Sequence, residues 1–236
     1  MAIQYANGKI VTNGLVLNLN AADPNSYPGS GTTWTDTSGL SNNGTLTNGP
    51  TFNSSNGGSI MFDGTNDRVD VPNASSLNFG TGEFTVLLWV AGISSYPGND
   101  KTLIWKGSRF DGNLAGWSIV WAGSPQDLYF IIGSSSARLE GRTNPNFGLN
   151  GWTGFKMIGM QRSGTSWNQI VDTTITNLGT FSGNVDNTDT LYLGYNGYYG
   201  SYLNYRVAST IIYNRALTAA EVAQNYNAQK ARFGLK

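Results

Sequence analysis

Short runs of β-branched and aromatic residues, each closed by a cluster of Gly, Asn, Ser or Pro, recur along the whole of this chain. That rhythm suits an antiparallel sandwich or barrel, since each run has the length of a strand and each cluster supplies turn residues. The spacing predicts strands over 15–20, 59–63, 68–71, 84–91, 102–106, 117–122, 128–133, 155–161, 166–174, 190–195 and 205–214. So many strands in one domain imply two stacked sheets. Leu15, Leu17 and Leu19 alternate with Val16, Asn18 and Asn20, the period of a strand with one buried and one wet face. Val86 to Val90 is apolar on both faces, which predicts a central strand.

Only the C-terminus reads as helix, over 219–232. Thr218 followed three residues later by Glu221 makes a capping box, Leu217 and Val222 stand at the staple positions, and Gly234 lies beyond the end. Val222 and Tyr226, four apart, share one face and give the helix a narrow stripe with which to pack on the sandwich edge. The chain thus divides into an N-terminal arm (1–13), a sandwich (14–217) and a helix with tail (218–236).

With no cysteine and no histidine, thiolate nucleophiles, Ser-His-Asp relays, imidazole proton shuttles and ordinary zinc sites are excluded, because each needs one of those side chains. Fourteen basic residues balance fourteen acidic ones, so no chain-wide field attracts nucleic acid. Charged residues are only 12% of the chain, but 39% hydrophobic and 12% aromatic content is far more than a disordered polymer carries. A single domain of 236 residues buries roughly 70–75% of its unfolded surface and needs neither disulfide nor metal to hold a core. The opening residues lack the basic and apolar regions of a secretory signal. The longest apolar run, 84–93, is too short to span a bilayer. These features lead to the expectation of a soluble protein made in a cytoplasm, or of one whose signal has been removed, without membrane insertion.

Several segments resemble the laminin G-like jelly rolls of the concanavalin A-like lectin and glucanase superfamily. In order they are Gly14-Leu-Val-Leu-Asn-Leu-Asn-Ala-Ala-Asp23, Asp36-Thr-Ser-Gly-Leu-Ser-Asn-Asn-Gly44, Gly58-Ser-Ile-Met-Phe-Asp-Gly64 leading into Arg68-Val-Asp-Val71, Phe84-Thr-Val-Leu-Leu-Trp89, and Ile212-Tyr-Asn-Arg-Ala-Leu-Thr-Ala-Ala-Glu-Val222. The last of these, extended to Gly234, is similar to the ending of structural proteins of tailed phages. The resemblance implies an all-β, concanavalin A-like jelly-roll β-sandwich of two antiparallel sheets with a short C-terminal helix. The chain departs from the pattern where relatives carry an Asp-Gly turn and it has Asp172-Thr173, and near Val207 to Ser209, where a Gly-x-Ile-Asp is missing.

Glycoside hydrolysis is the first activity that the superfamily raises, and it needs two carboxylates held about 5–9.5 Å apart. The glucanases' Glu-x-Asp-x-x-Glu is absent, since the only glutamates are Glu83, Glu140 and Glu221. Asp63, Asp67 and Asp70 are the remaining place for such chemistry. Asp36, Ser38 and Asn42 offer oxygens at spacings from which one turn can hold Ca²⁺, and similar loops in relatives hold a structural calcium; the other reading is a turn that satisfies its own backbone. Asp186 and Asp189 read as a solvated turn.

Tyr195, Tyr198, Tyr199 and Tyr202 fall within a run rich in Gly, Asn and Ser. Tyrosine offers a rigid apolar face with a polar tip, suited to stacking on sugar rings or to contact with another subunit, but also to plain packing. The Gly194, Gly197, Gly200 spacing is no phosphate cradle, lacking a following Lys or helix N-terminus. Trp89 belongs to the core, and Trp117 and Trp121 share a face. Trp34, Trp105, Trp152 and Trp167 lie nearer turns, where burial and a binding platform are the two readings.

Three functional readings remain. The first is a non-enzymatic virion surface protein, a capsid decoration or tail-fibre component of a tailed phage, made in the host cytoplasm and displayed on the particle. Its partners would be capsid or tail proteins, further copies of itself, and host or environmental glycans. The second is a free carbohydrate-binding lectin module. The third is a glycan hydrolase or lyase, which the glutamate count disfavours.

Overall fold

The predicted alternation closes into two large antiparallel sheets in the computed structural model, which describes residues 8–92, 101–107, 115–122, 127–142 and 154–236. Among them the strands are β1 (Leu15–Asn20), β2 (Thr33–Trp34), β3 (Gly44–Thr47), β4 (Thr51–Asn53), β5 (Ser59–Asp63), β6 (Arg68–Val71), β7 (Phe84–Ala91), β8 (Lys101–Lys106) and β9 (Gly116–Ala122). They continue as β10 (Asp127–Gly133), β11 (Arg138–Arg142), β12 (Lys156–Ser163), β13 (Ser166–Val171), β14 (Thr174–Thr180), β15 (Leu191–Leu193), β16 (Tyr195–Asn196), β17 (Ser201–Tyr202) and β18 (Asn204–Tyr213), followed by helix α1 (Ala219–Lys230). The first sheet runs β14-β13-β12-β7-β18-β5-β4, with β1 also on β18; the second runs β11-β10-β9-β8-β15-β6-β3-β2; and β16 pairs with β17 in a ribbon of its own.

Inward side chains of both sheets form one core. Val86, Leu88 and Val90 from β7, Ile158 and Met160 from β12, Val69 and Val71 from β6, and Trp117, Ile119 and Trp121 from β9 all belong to it. The sheets are also joined by polar contact: the buried Tyr205 hydroxyl donates to the carbonyl of Leu103 at 2.8 Å. Arg162, fully buried, gives its guanidinium to the carbonyls of Gly80, Gly82 and Gly183 at 2.6–2.9 Å. Those bonds replace the water the charge loses.

β7 is central, between β12 and β18, as its two apolar faces predict. Its outward residues Leu87, Trp89 and Ala91 lie in a second cluster with Met157, Phe155 and Val222, under the helix. Trp89 stacks on Phe233 at 4.6 Å and on Tyr226 at 5.3 Å between ring centroids. The capping box forms: Glu221 N donates to Thr218 Oγ1, and Thr218 N to Glu221 Oε2 at 2.9 Å. Arg215 clamps the same carboxylate with two bonds of 2.6 and 2.9 Å, and together with the Thr218 backbone it holds Glu221 down to about 2.

The helix ends two residues earlier than predicted, tightening into a 3₁₀ turn over Ala231–Phe233 that Gly234 terminates at φ 72°. Its buried face is Val222, Asn225, Ala228 and Gln229, half of it amide. Asn225 Oδ1 accepts from Val11 N and the Tyr213 hydroxyl, and Gln229 Oε1 accepts from Ser209. Residues near Val11 are thereby strapped between helix and sheet.

The strand predicted over 166–174 is instead two strands. β13 stops at Val171 and the chain reverses at Asp172-Thr173 into β14. Asp172 takes φ 51°, a left-handed conformation that Asp tolerates better than β-branched residues, and its carboxylate accepts from Met157 N. β2, β3, β4 and β11 are short and rich in Thr, Gly or Arg; pairing with neighbours, not local pattern, makes them strands. None of the helices among the described residues is long and apolar enough to cross a membrane.

Candidate functional site

On β6, Val69 and Val71 point into the core, so Arg68 and Asp70 point outward. Register extends this face across the second sheet: Thr45, Asp70, Tyr192, Trp105 and Ser118 are successive cross-strand neighbours on β3, β6, β15, β8 and β9. Trp105 and Tyr192 stack at 5.8 Å. Asp70 accepts from Arg68 Nε at 2.7 Å and from Thr47 Oγ1 at 2.8 Å. The outer face thus offers an aromatic step beside a fixed ion pair.

The β16–β17 ribbon folds onto this step. Tyr195 lies edge-on to Tyr192 at 5.0 Å, stacks with Tyr202 at 4.7 Å, and has the Arg68 guanidinium 5.4 Å from its ring centre. Burial raises the Tyr195 hydroxyl above its ordinary pKa and keeps it a donor. The ribbon's tip is pinned by the buried Asn196, whose Nδ2 donates to Thr102 Oγ1 and whose Oδ1 accepts from the backbone N–H of Tyr198 and Tyr199, all at 3.0 Å. Gly197 is what permits this seating: a Cβ there would lie 2.7 Å from the Trp105 ring. Tyr198 and Tyr199, rings edge-to-face at 4.8 Å, are 39% and 46% exposed.

The structure therefore gathers all four sequence-predicted tyrosines but separates their places. Tyr195 and Tyr202 form a half-buried base; Tyr198 and Tyr199 project from the tip. Trp105, Tyr192, Arg68, Asp70 and Thr47 belong to the same surface; the sequence marks Trp105 as platform or core and Asp70 as a candidate carboxylate, but does not single out Tyr192, Arg68 or Thr47. The alternation within 68–71 and 190–195 marks Arg68, Asp70 and Tyr192 as outward, but only strand pairing shows that they meet.

The tryptophans that lie near turns are not open platforms. Trp34 and Trp167 are fully buried and Trp105 is 5% exposed beneath the Gly197 loop; Trp152 lies outside the described residues.

The Asp36 loop is built as a turn. Asp36, itself buried, accepts from Asn18 N and Ser38 N on Oδ1, and from Ser38 Oγ and Asn42 N on Oδ2, at 2.7–2.9 Å. Asn42 turns its amide nitrogen to Val16 O and Ser76 Oγ. The carboxylate's lone pairs are filled by protein donors and Ser38 spends its hydroxyl proton on the same group, so this arrangement does not fit Ca²⁺, which needs several convergent oxygens. Among the described residues no cluster of three or more Asp or Glu offers another place.

Asp63, Asp67 and Asp70 are likewise engaged. Asp63 caps a turn by accepting from Thr65 N, which holds its carboxyl below the usual range; Asp67, pushed up by burial, accepts from Asp63 N; Asp70 is paired to Arg68. Asp186, exposed, and Asp189, half-buried, lie in an irregular surface segment, and their charge partly offsets the burial of Lys106. Its ammonium donates to Asn73 and Asn187 side chains at 2.9 Å, and burial, opposed by Asp189 and then Asp186, lowers it to about 8. The signal for this was a lysine closing a strand pattern at an inward position.

Comparison with known proteins agrees with this architecture. The binding domain of Paraclostridial Mosquitocidal Protein 1 superposes with a TM-score of 0.71 at 17% identity, over 92% of this chain and 52% of that one. The binding domain of botulinum neurotoxin DC, in complex with rat synaptotagmin II, gives 0.69 at 13% over 93% and 52%. Trypanosoma rangeli sialidase, in complex with sialic acid, gives 0.67 at 16% over 95% and 34%. The chain thus spans about half the length of the toxin binding domains and a third of the sialidase, and at these identities the likeness is one of fold. No curated protein sequence matches it. A family model matches residues 63–223, from the end of β5 into α1, and together with the two-sheet jelly roll this shows that the chain belongs to the concanavalin A-like lectin/glucanases superfamily, in its laminin G-like branch.

Proposed function

We propose that this chain is a non-catalytic recognition module that binds glycans through the tyrosine ribbon on its second sheet, and that it works on a virion surface as a capsid decoration or tail-fibre component, in contact with neighbouring subunits. The observation that carries the reading is the pinned tip. Tyr198 and Tyr199 are exposed yet held by Asn196, so little conformational entropy is lost when a ligand stacks on them. Arg68, Asp70 and Thr47 supply fixed polar groups on the same face. Structural neighbours include a botulinum neurotoxin serotype D binding domain with N-acetylneuraminic acid and another with synaptotagmin II, so the fold serves recognition of either a sugar or a protein.

The glutamates support a role without turnover. Glu221 is clamped by Arg215, Glu140 is paired with Arg138, and Glu83 Oε1 accepts from Gly164 N at 2.8 Å. None is left as a free acid or base. The virion reading draws on the ending 212–234, similar to tailed-phage structural proteins, and on the low charge of the chain.

A glycan array probed with the intact chain and with Tyr198→Ala/Tyr199→Ala tests the first part. Binding that falls about 5- to 150-fold in the variant is expected from the loss of two stacked rings at about 0.5–1.5 kcal/mol each; binding unchanged by it refutes the assignment. Release of sugar from any polysaccharide by the pure protein would overturn the non-catalytic part. Reconstruction of purified particles tests the virion part, and a particle without the chain would sink it.

A further inference from the structure

The inner face of the first sheet changes character at one end. Ile158 faces the core. Val171 stands opposite Ile158, and Thr174 opposite Val171; Gln169 stands opposite Met160, and Thr176 opposite Gln169. Lys156 is two residues before Ile158 and so shares that face. At this end the face is no longer covered: Thr174 and Thr176 are exposed and Lys156 and Gln169 half-buried, so polar side chains stand in line with the buried Ile158 and Met160.

These polar residues line an open cleft of about 520 Å³, rimmed by the Asp172-Thr173 turn and by Tyr226 of α1, a size within the range of about 300–1,000 Å³ usual for small-molecule sites. Gln169 presents a buried Oε1 that takes no hydrogen bond among the described residues, an acceptor whose burial is costly unless a donor arrives. Lys156 is already neutralised by Asp172 at 3.4 Å, so the cleft carries no net charge with which to select an anion. Threonine hydroxyls both donate and accept, and Tyr226 contributes an aromatic edge.

We infer that this cleft is a second ligand site, separate from the tyrosine ribbon, which takes a neutral sugar ring. A sugar's hydroxyls supply the donor that Gln169 lacks and match the mixed lining of Thr174, Thr176 and Asp172. A phosphate would meet Asp172 with like charge.

The test is amide-detected NMR titration of the full chain with the methyl glycosides of glucose, galactose and N-acetylglucosamine, and with inorganic phosphate. The expected result is saturable shifts at Thr173, Thr174, Thr176 and the Gln169 side-chain amide with at least one sugar and not with phosphate. Thr174→Val/Thr176→Val, which keeps shape and adds no polar group, should weaken that binding about tenfold or more through the lost hydrogen bonds. Tyr198→Ala/Tyr199→Ala should leave it unchanged. No shift at these positions with any of the three sugars, a response to phosphate alone, or binding indifferent to the Thr174/Thr176 variant overturns the inference. Sugar shifts confined to the Tyr198–Tyr199 tip would overturn it too, while leaving the ribbon's proposed role intact.

Discussion

The outer faces of the two sheets carry similar aromatic cargo and treat it in opposite ways. On the first, Trp89 is fully buried beneath Tyr226 and Phe233, with Phe155 stacked on Phe233 at 4.4 Å. On the second, Trp105 and Tyr192 support a ribbon whose tip leaves Tyr198 and Tyr199 in solvent. What differs is the cover. Helix α1 and the strap at Val11 bring apolar and amide groups that seal the first face, whereas the ribbon brings glycine, asparagine and tyrosine. Aromatic residues under a sealed cover stabilise the fold; those on the pinned, open ribbon stay in solvent, which is the basis of the recognition role proposed for them.

The sharpest way to break this contrast is to truncate one aromatic on each face. Trp89→Ala should cost about 3–5 kcal/mol, the usual loss for a large buried aromatic, read from urea denaturation. Tyr198→Ala/Tyr199→Ala should stay within about 0.5 kcal/mol per site, as exposed substitutions do. Equal losses would erase the distinction between sealing and display.

A smaller effect tests the second sheet's own support. Lys106 holds its proton only to about pH 8 in the folded chain but to 10.5 when unfolded, so between those values the unfolded state binds more protons and stability rises with pH. The gain between pH 7 and 10 should be of the order of 2 kcal/mol. Above pH 10 it should reverse, because burial raises Tyr205 and Tyr213 and the folded state then keeps protons the unfolded chain gives up. Lys106→Met should flatten the rise; a rise that survives the substitution rules Lys106 out as its source.

On the first face, Glu221→Ala should loosen the cover by about 1 kcal/mol, the usual worth of a cap, with partial exposure holding down the share from Arg215. Since Glu221 is held down to about 2, its contribution is complete above pH 4.5 and lost as pH falls toward 2. A cost independent of pH would show that the carboxylate's charge has no part in it. The smallest expectation is zero: with Asp36 saturated by protein donors, neither calcium nor chelator should move the melting temperature, and a shift would restore the calcium reading, since a ligand of the folded state must change it.

How much of this was readable in advance follows from the range of each signal. β1, β5, β6 and β7 have the bounds that their local pattern predicts, alternating or, in β7, apolar on both faces, because that pattern is a property of neighbouring residues. The capping box is equally local. The reversal at Asp172 escaped because its flanks, Ile170-Val171 and Thr174-Ile175, continue a β-branched run across a turn that lacks glycine. Gly44–Thr47 and Arg138–Arg142 escaped because hydrogen-bonded neighbours, not composition, make them strands. At the site, a tyrosine cluster within eleven residues stood out from the sequence; that Arg68, Trp105 and Tyr192 meet beside it was not legible, since they come from three strands far apart along the chain.

By itself, then, the order of residues determined a two-layer all-β chain with one capped helix, lacking the imidazole and thiol chemistry of most hydrolases, because hydrophobic period, turn residues and missing side chains are local or compositional properties. Tertiary structure alone decided which aromatics are sealed and which displayed, that Asp36 satisfies its own loop, and that Lys106 is buried against the side-chain oxygens of Asn73 and Asn187. Each of those depends on which strands lie side by side, and strand neighbours are chosen by the burial of the whole core rather than by any one segment.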